Sequence, residues 1–390
     1  MDLSRRELLA ASALLLASPK AALSAGSQTG VGQAARAGAT TATGTAAGSG
    51  AASKPIVLCW NENPYGPSPA ARAIINGTIP GSCRYPDEEI NQLVEAIAHV
   101  EGMPADHIVV GSGSGELLCA LGFLHGRGGG EIIAAGPTYE ELTNYAKHAG
   151  ANLKFVPVDK QLNHDLSAMR AAVSERTRAV YVCNPNNPTG TAISASSIRS
   201  FVQSLPESVT TIVDEAYLDF ADASDVRTVS DLVPAGKRVV VLRTFSKIHG
   251  MAGVRCGYGI ARPEIAAEIA AVRMSSPNIF AMRAARASLG DKVFLADTRQ
   301  RIVASRKRIT DELTRFGLAY AKPQTNFVFF DTGAPLERFD SFMKTRNILV
   351  GRLFPPYSNW CRITIGTEPE VEAFIQGLRA YRGKHAAAAA

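Results

Sequence analysis

The sequence has no run of lysine and arginine residues, although its 390 residues carry a small excess of basic charge. The 41 Lys and Arg residues against 35 Asp and Glu residues leave a formal net charge of +6. Nucleic-acid-binding domains concentrate their basic residues on one face or along one helix. The sequence therefore predicts no nucleic-acid partner, and small acidic molecules are the expected ligands.

The six cysteines include no pair at the spacing of a metal-binding motif, so the sequence predicts no metal site. Most of them stand in apolar surroundings, such as Leu118-Cys119-Ala120 and Tyr181-Val182-Cys183. Thiols in such surroundings usually pack as small hydrophobic groups. We therefore expect no structural disulfide.

The apolar run near the N-terminus is too short to span a bilayer. It extends from Leu8 to Ala17, whereas a membrane-spanning helix needs about 20 apolar residues. Arg5 and Arg6 precede this run, and Lys20 and several small residues follow it. The pattern predicts a twin-arginine export signal over residues 1–25, and hence a periplasmic protein that meets the membrane only during export. The alternative is an amphipathic helix with a chance arginine pair and a cytoplasmic location.

A segment of small residues follows the predicted signal. Between Ser24 and Ser53, 26 of 30 residues are Ala, Gly, Ser or Thr. Such a segment buries too little apolar surface to offset its ordering entropy, so we predict a flexible linker over residues 26–54. The remaining chain has the length of a large domain with a smaller companion. The expected parts are an N-terminal arm with part of the small domain (55–85), a large domain (86–289) and a small C-terminal domain (290–385).

Strands and helices alternate in the middle of the chain. Strands are expected at 131–135, 152–158, 179–183, 210–213 and 239–243, and helices at 139–148, 166–173 and 198–205. This alternation predicts an α/β fold with a mostly parallel sheet covered by helices on both faces. A long helix at 291–315 leads to a smaller α+β unit, with strands at 326–330, 348–350 and 361–365 and helices at 336–345 and 369–381.

Polar residues stand at the carboxyl ends of three central strands, where ligands bind in open α/β sheets. A lysine amine can form an imine with an aldehyde, and hydroxyl groups with an arginine can bind a phosphate. A carboxylate beside a protonated pyridine nitrogen makes that ring an electron sink. The combination indicates a pyridoxal phosphate site. In chain order the residues are Asn184, Asp214, Tyr217, Thr244, Ser246, Lys247 and Arg255.

Each of these features has a simpler interpretation when it is taken alone. The segment 184–190 is rich in Asn, Pro and Gly, which are also the residues that turns require. Asp214 could belong to an ordinary acidic strand end, and the glycines of residues 111–115 could form a plain loop. Tyr85 and Tyr139 could be core or surface aromatics. Only their joint order along the chain indicates a common site.

A series of motifs resembles the class I/II, fold-type I, pyridoxal-phosphate-dependent aminotransferases, and most closely the histidinol-phosphate aminotransferase branch. The resemblance covers about residues 56 to 380. The motifs lie at Asn61–Ser68, Arg84–Pro86, Gly111–Glu116, Pro137–Tyr139, Asn184–Gly190, Asp214–Tyr217, Thr244–Lys247, Gly253–Tyr258 and Arg362–Gly366.

The resemblance implies a role for each matching residue. Lys247 would form the internal aldimine with pyridoxal 5′-phosphate, and Asp214 would pair with the pyridine nitrogen. Asn184 and Tyr217 would hydrogen-bond the phenolic oxygen, which would lower the pKa of the imine. The other implied contacts are Tyr139 on the ring, Ser114, Gly115, Thr244, Ser246 and Arg255 at the phosphate, Tyr85 at the phosphate of the second subunit of a homodimer, and Arg362, Arg352 and Asn63 at the substrate.

The resemblance implies an aminotransferase that moves an amino group from an L-amino acid, or an amino-alcohol phosphate such as histidinol phosphate, to a 2-oxo acid. Two departures concern the substrate. Gly115 stands where the family usually has an acidic residue, and Gly351 separates Val350 from Arg352. On a regular strand, this shift by one position would turn the arginine to the opposite face. A decarboxylase of the threonine-phosphate type and a binding module without turnover are the alternative functions.

Overall fold

A seven-stranded sheet lies at the centre of residues 54–387, the part of the chain that the computed structural model describes. The predicted export signal and all but the last residue of the predicted linker lie outside this range. Strand β8 runs antiparallel to both of its neighbours, and the other pairs are parallel. From edge to edge the strands are β2 (Ile108–Gly111), β8 (Gly257–Ile260), β7 (Val239–Thr244), β6 (Thr210–Asp214), β5 (Thr177–Cys183), β3 (Glu131–Gly136) and β4 (Asn152–Pro157).

Helices cover both faces of the sheet, which explains why its central strands are continuous apolar runs. One face packs against α3 (Ser114–Gly126), α4 (Glu141–His148) and α7 (Pro263–Val272), and the other against α1 (Pro69–Thr78), α2 (Glu89–Glu101), α5 (Leu166–Ala171), α6 (Ala195–Ser204) and α8 (Ile279–Gly290). Successive side chains of a strand point to opposite faces. Accordingly, Val240 and Leu242 join the first layer, whereas Val239 and Val241 join the second.

A smaller unit completes the described residues. It contains an antiparallel pair of strands, a parallel pair and three helices, and their apolar side chains form a second core. These elements are β1 (Ile56–Val57), which pairs with β10 (Ile348–Leu349), β9 (Phe327–Asp331), which pairs with β11 (Trp360–Thr364), and the helices α9 (Lys292–Arg315), α10 (Leu336–Lys344) and α11 (Glu368–Ala387). Tyr217 and Ile248 also belong to this core, so it reaches the carboxyl ends of the large sheet.

The predicted α/β class with a mostly parallel sheet is confirmed. The helix predicted at 198–205 instead begins at Ala195, because the Ser194 hydroxyl caps its start by accepting from the Ser197 N–H at 3.1 Å. The domain limits at 85/86 and 289/290 remain predictions, and β1 does pair with β10 of the smaller unit. Between residues 54 and 387, none of the helices is both long enough and apolar enough to cross a membrane.

Candidate active site

A cavity of about 390 Å³ lies at the carboxyl ends of β6 and β7. The first turn of α3 and the segment 138–144 form one side of it, and β11 with the loop after β10 contributes the other. The structure brings eleven of the predicted site residues to this cavity, namely Ser114, Gly115, Tyr139, Asp214, Tyr217, Thr244, Ser246, Lys247, Arg255, Arg352 and Arg362. Further residues line the cavity to which the sequence analysis gave no role, although Asn61, Thr138 and Asn187 lie in its motifs; they include Trp60, Asn61, Thr138, Glu140, Glu141, Asn187 and Phe354.

Lys247 extends its amine into the cavity from the loop after β7. The Nζ atom donates to the main-chain oxygen of Asn61 at 3.1 Å and lies 5.3 Å from the centroid of the Tyr217 ring. Burial lowers the pKa of the Lys247 amine to about 8, and the positive charge of Arg362 contributes in the same direction. A substantial fraction of the amine is therefore neutral, and hence nucleophilic, near pH 8.

Asp214 lies at the end of β6 with its side chain buried. Its carboxylate accepts hydrogen bonds from the Tyr181 hydroxyl and from the Ala216 N–H, both at 3.1 Å. Burial nevertheless raises the pKa of Asp214 to about 6. A buried carboxylate with neutral donors is stabilised by a cationic partner. This carboxylate therefore fits a protonated pyridine nitrogen.

The loop after β5 places Asn187, and not Asn184, at the cavity. The amide group of Asn184 is used by the main chain of Ile193: Oδ1 accepts from its N–H at 2.7 Å, and Nδ2 donates to its oxygen at 3.1 Å. Asn184 thus closes the base of the loop. Asn187 lines the cavity, where its Nδ2 donates to the Tyr217 hydroxyl at 3.5 Å and its Oδ1 accepts from Arg362 at 2.7 Å.

Asn61 occupies the cavity position that the sequence assigned to Asn63. The Asn63 side chain donates to the main-chain oxygen of Ile248 at 2.8 Å and accepts from the Tyr65 N–H at 3.1 Å, and it does not line the cavity. Asn61 Nδ2 donates to the Tyr217 hydroxyl at 3.2 Å. Two asparagines two residues apart look equivalent in the sequence, and only their long-range partners distinguish them.

Tyr85 does not reach this cavity. Its side chain is 93% exposed in the single chain. The predicted contact of Tyr85 with a cofactor phosphate requires a second subunit, so it stays a prediction.

The opposite end of the cavity has the donors that a phosphate group needs. Helix α3 begins without a side-chain cap, so the N–H groups of its first turn are left for a ligand. Gly113, with a φ of 88°, brings the chain so close to Arg255 that a Cβ atom there would lie 2.4 Å from Arg255 Nη2. Arg255 Nη1 in turn donates to the Ser246 hydroxyl at 3.3 Å. This arrangement fits the phosphate of the predicted cofactor.

Arg362 is a buried cation on β11. Its Nη1 donates to Asn187 Oδ1 and its Nη2 to the main-chain oxygen of Cys59, both at 2.7 Å. Its Nε is buried and has no hydrogen-bond partner among the described residues. The guanidinium carbon lies 5.6 Å from the ring centroid of Phe327 and 4.9 Å from that of Phe354. The group is fixed in place and retains an unused donor.

Arg352 also reaches the cavity, so the expectation that the one-residue shift turns it away does not hold. Strand β10 ends at Leu349, and the alternation of a regular strand no longer applies beyond it. The Gly351 N–H donates to the main-chain oxygen of Arg362 at 3.0 Å, and a Cβ at residue 351 would lie 2.4 Å from that oxygen. This close approach excludes a side chain at residue 351, and the arginine follows one residue later.

Comparison with known proteins places the chain beside aminotransferases. Residues 53–378 match the family model described as aminotransferase class I and II. The histidinol-phosphate aminotransferase of Moorella thermoacetica is 36% identical over 83% of this chain and 84% of the relative. The aromatic amino acid aminotransferase of Cutibacterium acnes is 35% identical over 83% of this chain and 91% of the relative.

Solved structures give the same result. A putative histidinol-phosphate aminotransferase from Erwinia carotovora atroseptica superposes with a TM-score of 0.82 and 33% identity, over 85% of this chain and 97% of that one. The histidinol-phosphate aminotransferase of Sinorhizobium meliloti, in complex with pyridoxal-5′-phosphate, has a TM-score of 0.78 and 27% identity, over 84% and 91% of the two chains.

Proposed function

This chain belongs to the class I and II aminotransferases, and we propose that its amino donor is an L-amino acid with an aromatic or imidazole side chain. The chain is a pyridoxal-phosphate-dependent enzyme that transfers an amino group to a 2-oxo acid, as the sequence predicted. The observation that carries the choice of an amino acid as donor is Arg362, a buried cation that lines the cavity containing Lys247 and is held in place by Asn187 and the main-chain oxygen of Cys59. A fixed guanidinium in this cavity suits the α-carboxylate of an amino acid.

The cavity offers a complete set of contacts for pyridoxal 5′-phosphate. Lys247 would hold its aldehyde carbon and Asp214 its ring nitrogen, while Ser246, Arg255 and the first turn of α3 would hold its phosphate. Once bound, the cofactor withdraws electrons from the substrate Cα and so makes the Cα proton acidic. Tyr217 would donate to the phenolic oxygen, because its hydroxyl oxygen already accepts from Asn61.

Two side chains of this protein would control the protons of the reaction, one at the substrate Cα and the other at the ring nitrogen of the cofactor. The Lys247 amine, whose pKa burial lowers to about 8, is the base that would remove the Cα proton and later return one. The Asp214 carboxylate would keep the ring nitrogen protonated. Arg362, held by Asn187, would fix the substrate carboxylate and with it the direction of the Cα–H bond.

The lining of the cavity favours a substrate with a ring-containing side chain. Trp60, Tyr139 and Phe354 line the cavity, Phe354 lies beside Arg352, and Trp60 is 69% exposed in the single chain. Aromatic surfaces of this kind pack well against phenyl, phenol and imidazole rings. Histidinol phosphate is a second candidate donor, since Arg352 adds a cation beside these rings and several relatives are named for that substrate.

The test is a comparison of amino donors with 2-oxoglutarate as the acceptor. We expect the kcat/KM of L-phenylalanine, L-tyrosine or L-histidine to exceed that of L-alanine at least tenfold, and Arg362→Ala to raise the KM of these donors at least tenfold. Histidinol phosphate, which has no α-carboxylate, is the matched comparison. An equal fall in kcat/KM for all donors in Arg362→Ala would contradict the carboxylate role, because the kcat/KM of a donor depends on the donor half-reaction alone and not on the acceptor. A strong preference for L-alanine would contradict the aromatic donor.

We further propose a homodimer in which Tyr85 serves the neighbouring subunit's site. The proposal is supported by the exposure of Tyr85 in the single chain. Lys247→Ala and Tyr85→Ala chains, mixed and reassembled, would form some dimers with one site free of both substitutions. Activity should therefore recover in the mixture if Tyr85 acts across the interface, and should stay at the level of the separate variants if it acts within its own chain.

We also propose that residues 1–25 direct export of the folded enzyme. The support is the sequence pattern around Arg5 and Arg6, which lies outside the described residues. Replacing both arginines by lysine should leave active enzyme in the cytoplasm, as measured by fractionation of cells that express each form. Equal amounts of the two forms outside the inner membrane would contradict the proposal.

A further inference from the structure

An ion pair crosses the active-site cavity on its solvent side. Arg352 Nη2 lies 2.6 Å from Glu140 Oε2, and both residues line the cavity that contains Lys247 and Arg362. Glu140 immediately precedes α4, whereas Arg352 lies in the loop after β10, 212 positions along the chain. The pair therefore connects the edge of the large sheet to the smaller unit.

The Glu140 carboxylate is free to act as a counter-ion. It forms no capping hydrogen bond to α4, although its position at the helix start favours a negative charge. The next carboxylate, that of Glu141, accepts from the Tyr139 hydroxyl at 3.3 Å. Among the described residues, the side chain of Glu140 is hydrogen-bonded only to Arg352.

Two cations lie against one aromatic ring of the cavity. The guanidinium carbon of Arg352 is 4.4 Å from the centroid of Phe354, and that of Arg362 is 4.9 Å from the same centroid. Arg362 is buried, whereas the side chain of Arg352 is 58% exposed. The site thus has an inner cation for a carboxylate and an outer cation whose charge Glu140 neutralises.

An exposed ion pair is weak enough to be replaced by a ligand. The side chain of Glu140 is 52% exposed, and pairs of this kind contribute about 0–1 kcal/mol. We propose that Glu140 is a specificity-determining residue: its carboxylate occupies Arg352 when the substrate side chain is uncharged, and yields Arg352 to a second anionic group when the substrate carries one. The inference rests on the proposed function, in which Arg362 binds the first carboxylate.

The consequence is that one site accepts two chemical classes of substrate. With an aromatic amino acid, Arg352 keeps its partner and no charge is left unpaired beside the ring. With a dicarboxylate or a phosphate-bearing substrate, the second anion replaces Glu140. An aminotransferase needs such tolerance, because its donor and acceptor occupy the same site in turn.

Calorimetric titration of the cofactor-loaded protein tests this role without turnover. The probes are glutarate, with two carboxylates, and 3-phenylpropionate, with one carboxylate and a phenyl ring. Glu140→Gln should bind glutarate about three- to fivefold more tightly, because the exposed ion pair no longer competes with glutarate for Arg352. The same variant should bind 3-phenylpropionate with a Kd within about twofold of the wild-type value. Glu372→Gln, which breaks a comparable exposed pair with Arg308, is the matched control and should change neither Kd.

Arg352→Gln provides the second measurement. It should weaken glutarate binding, and adding Glu140→Gln to it should produce no further change, because the competition requires both side chains. Equal tightening of both probes in Glu140→Gln, or weaker glutarate binding, would overturn the role of Glu140. Steady-state assays of the cofactor-loaded enzyme are run separately. If this enzyme transaminates no aromatic donor, the proposed function is wrong. The calorimetric result alone decides the role of Glu140.

Discussion

Asn187 Oδ1 accepts a hydrogen bond of 2.7 Å from Arg362 Nη1, and this contact joins the loop after β5 to strand β11. Both residues are buried, and Asn187 also donates to the Tyr217 hydroxyl. Asn187 therefore links the position of Arg362, the proposed substrate-binding cation, to the position of Tyr217, which is predicted to contact the cofactor.

Asn187→Ala should raise the KM of carboxylate substrates about tenfold, because a hydrogen bond to a charged group contributes about 1.5–3 kcal/mol. The free energy of unfolding of Asn187→Ala should also fall, because Arg362 Nη1 loses its buried partner, so the KM is the quantity that separates the two asparagines. Asn184→Ala is the matched comparison: it leaves the buried main-chain groups of Ile193 unpaired, and should lower the free energy of unfolding by about 1–3 kcal/mol. Steady-state kinetics and urea unfolding measure the two effects, and a larger KM change in Asn184→Ala would contradict the assignment.

The cofactor-free protein should capture pyridoxal 5′-phosphate faster as the pH rises. The neutral amine of Lys247 is the reactive form, and its fraction increases until the pH exceeds the lowered pKa of about 8. Stopped-flow absorbance from pH 6 to 9.5 should show this rise and then a plateau. Lys247→Ala should be inactive and give no borohydride-fixed adduct, whereas the exposed Lys322→Ala should behave as wild type. A rate that is still increasing steeply at pH 9.5 would show that the pKa of the Lys247 amine is not lowered.

Asp214 should make the stability of the cofactor-free protein depend on pH. Burial raises its folded-state pKa to about 6 from its ordinary value of 3.8, so the folded state binds the extra proton between these values. Its contribution is therefore fully present below about pH 4 and is lost as the pH rises through 6. Between pH 4 and 7 the wild-type protein should lose about 1–3 kcal/mol relative to Asp214→Asn.

Urea unfolding of both proteins at several pH values measures this difference. Asp214→Asn should also lose most of its turnover, since a neutral amide cannot hold the ring nitrogen protonated. Parallel stability curves for the two proteins would indicate that the Asp214 carboxylate is not destabilised by burial.

Gly113→Ala should weaken cofactor binding at least tenfold. The added Cβ would lie 2.4 Å from Arg255 Nη2, and a φ of 88° is unfavourable for alanine. Gly77→Ala is the control, because Gly77 does not line the cavity and a Cβ atom there would have no atom within 4 Å. Titration of each cofactor-free variant with pyridoxal 5′-phosphate gives the two dissociation constants. Equal constants would mean that Arg255 does not contact the phosphate.

The sequence alone determined the residues that end regular strands. Asp214 ends β6, and Lys247 follows β7 by three residues. Because neighbouring parallel strands end at the same edge of a sheet, the apolar runs before these residues already imply that the two side chains face one cavity. Ser114 and Gly115, for which the family resemblance implied a place at the phosphate, form the start of α3.

Only the tertiary structure decided which asparagines and arginines face the cavity. Asn184 and Asn187 share one loop, and Asn61 and Asn63 share one segment. Asn187 and Asn61 face the cavity because both contact Tyr217, which lies 30 and 156 positions away from them in the sequence. Arg352 reaches the cavity because the chain leaves the strand geometry after Leu349, where a rule based on alternation no longer applies. Glu140 gave no signal in the sequence, because its partner lies 212 positions away.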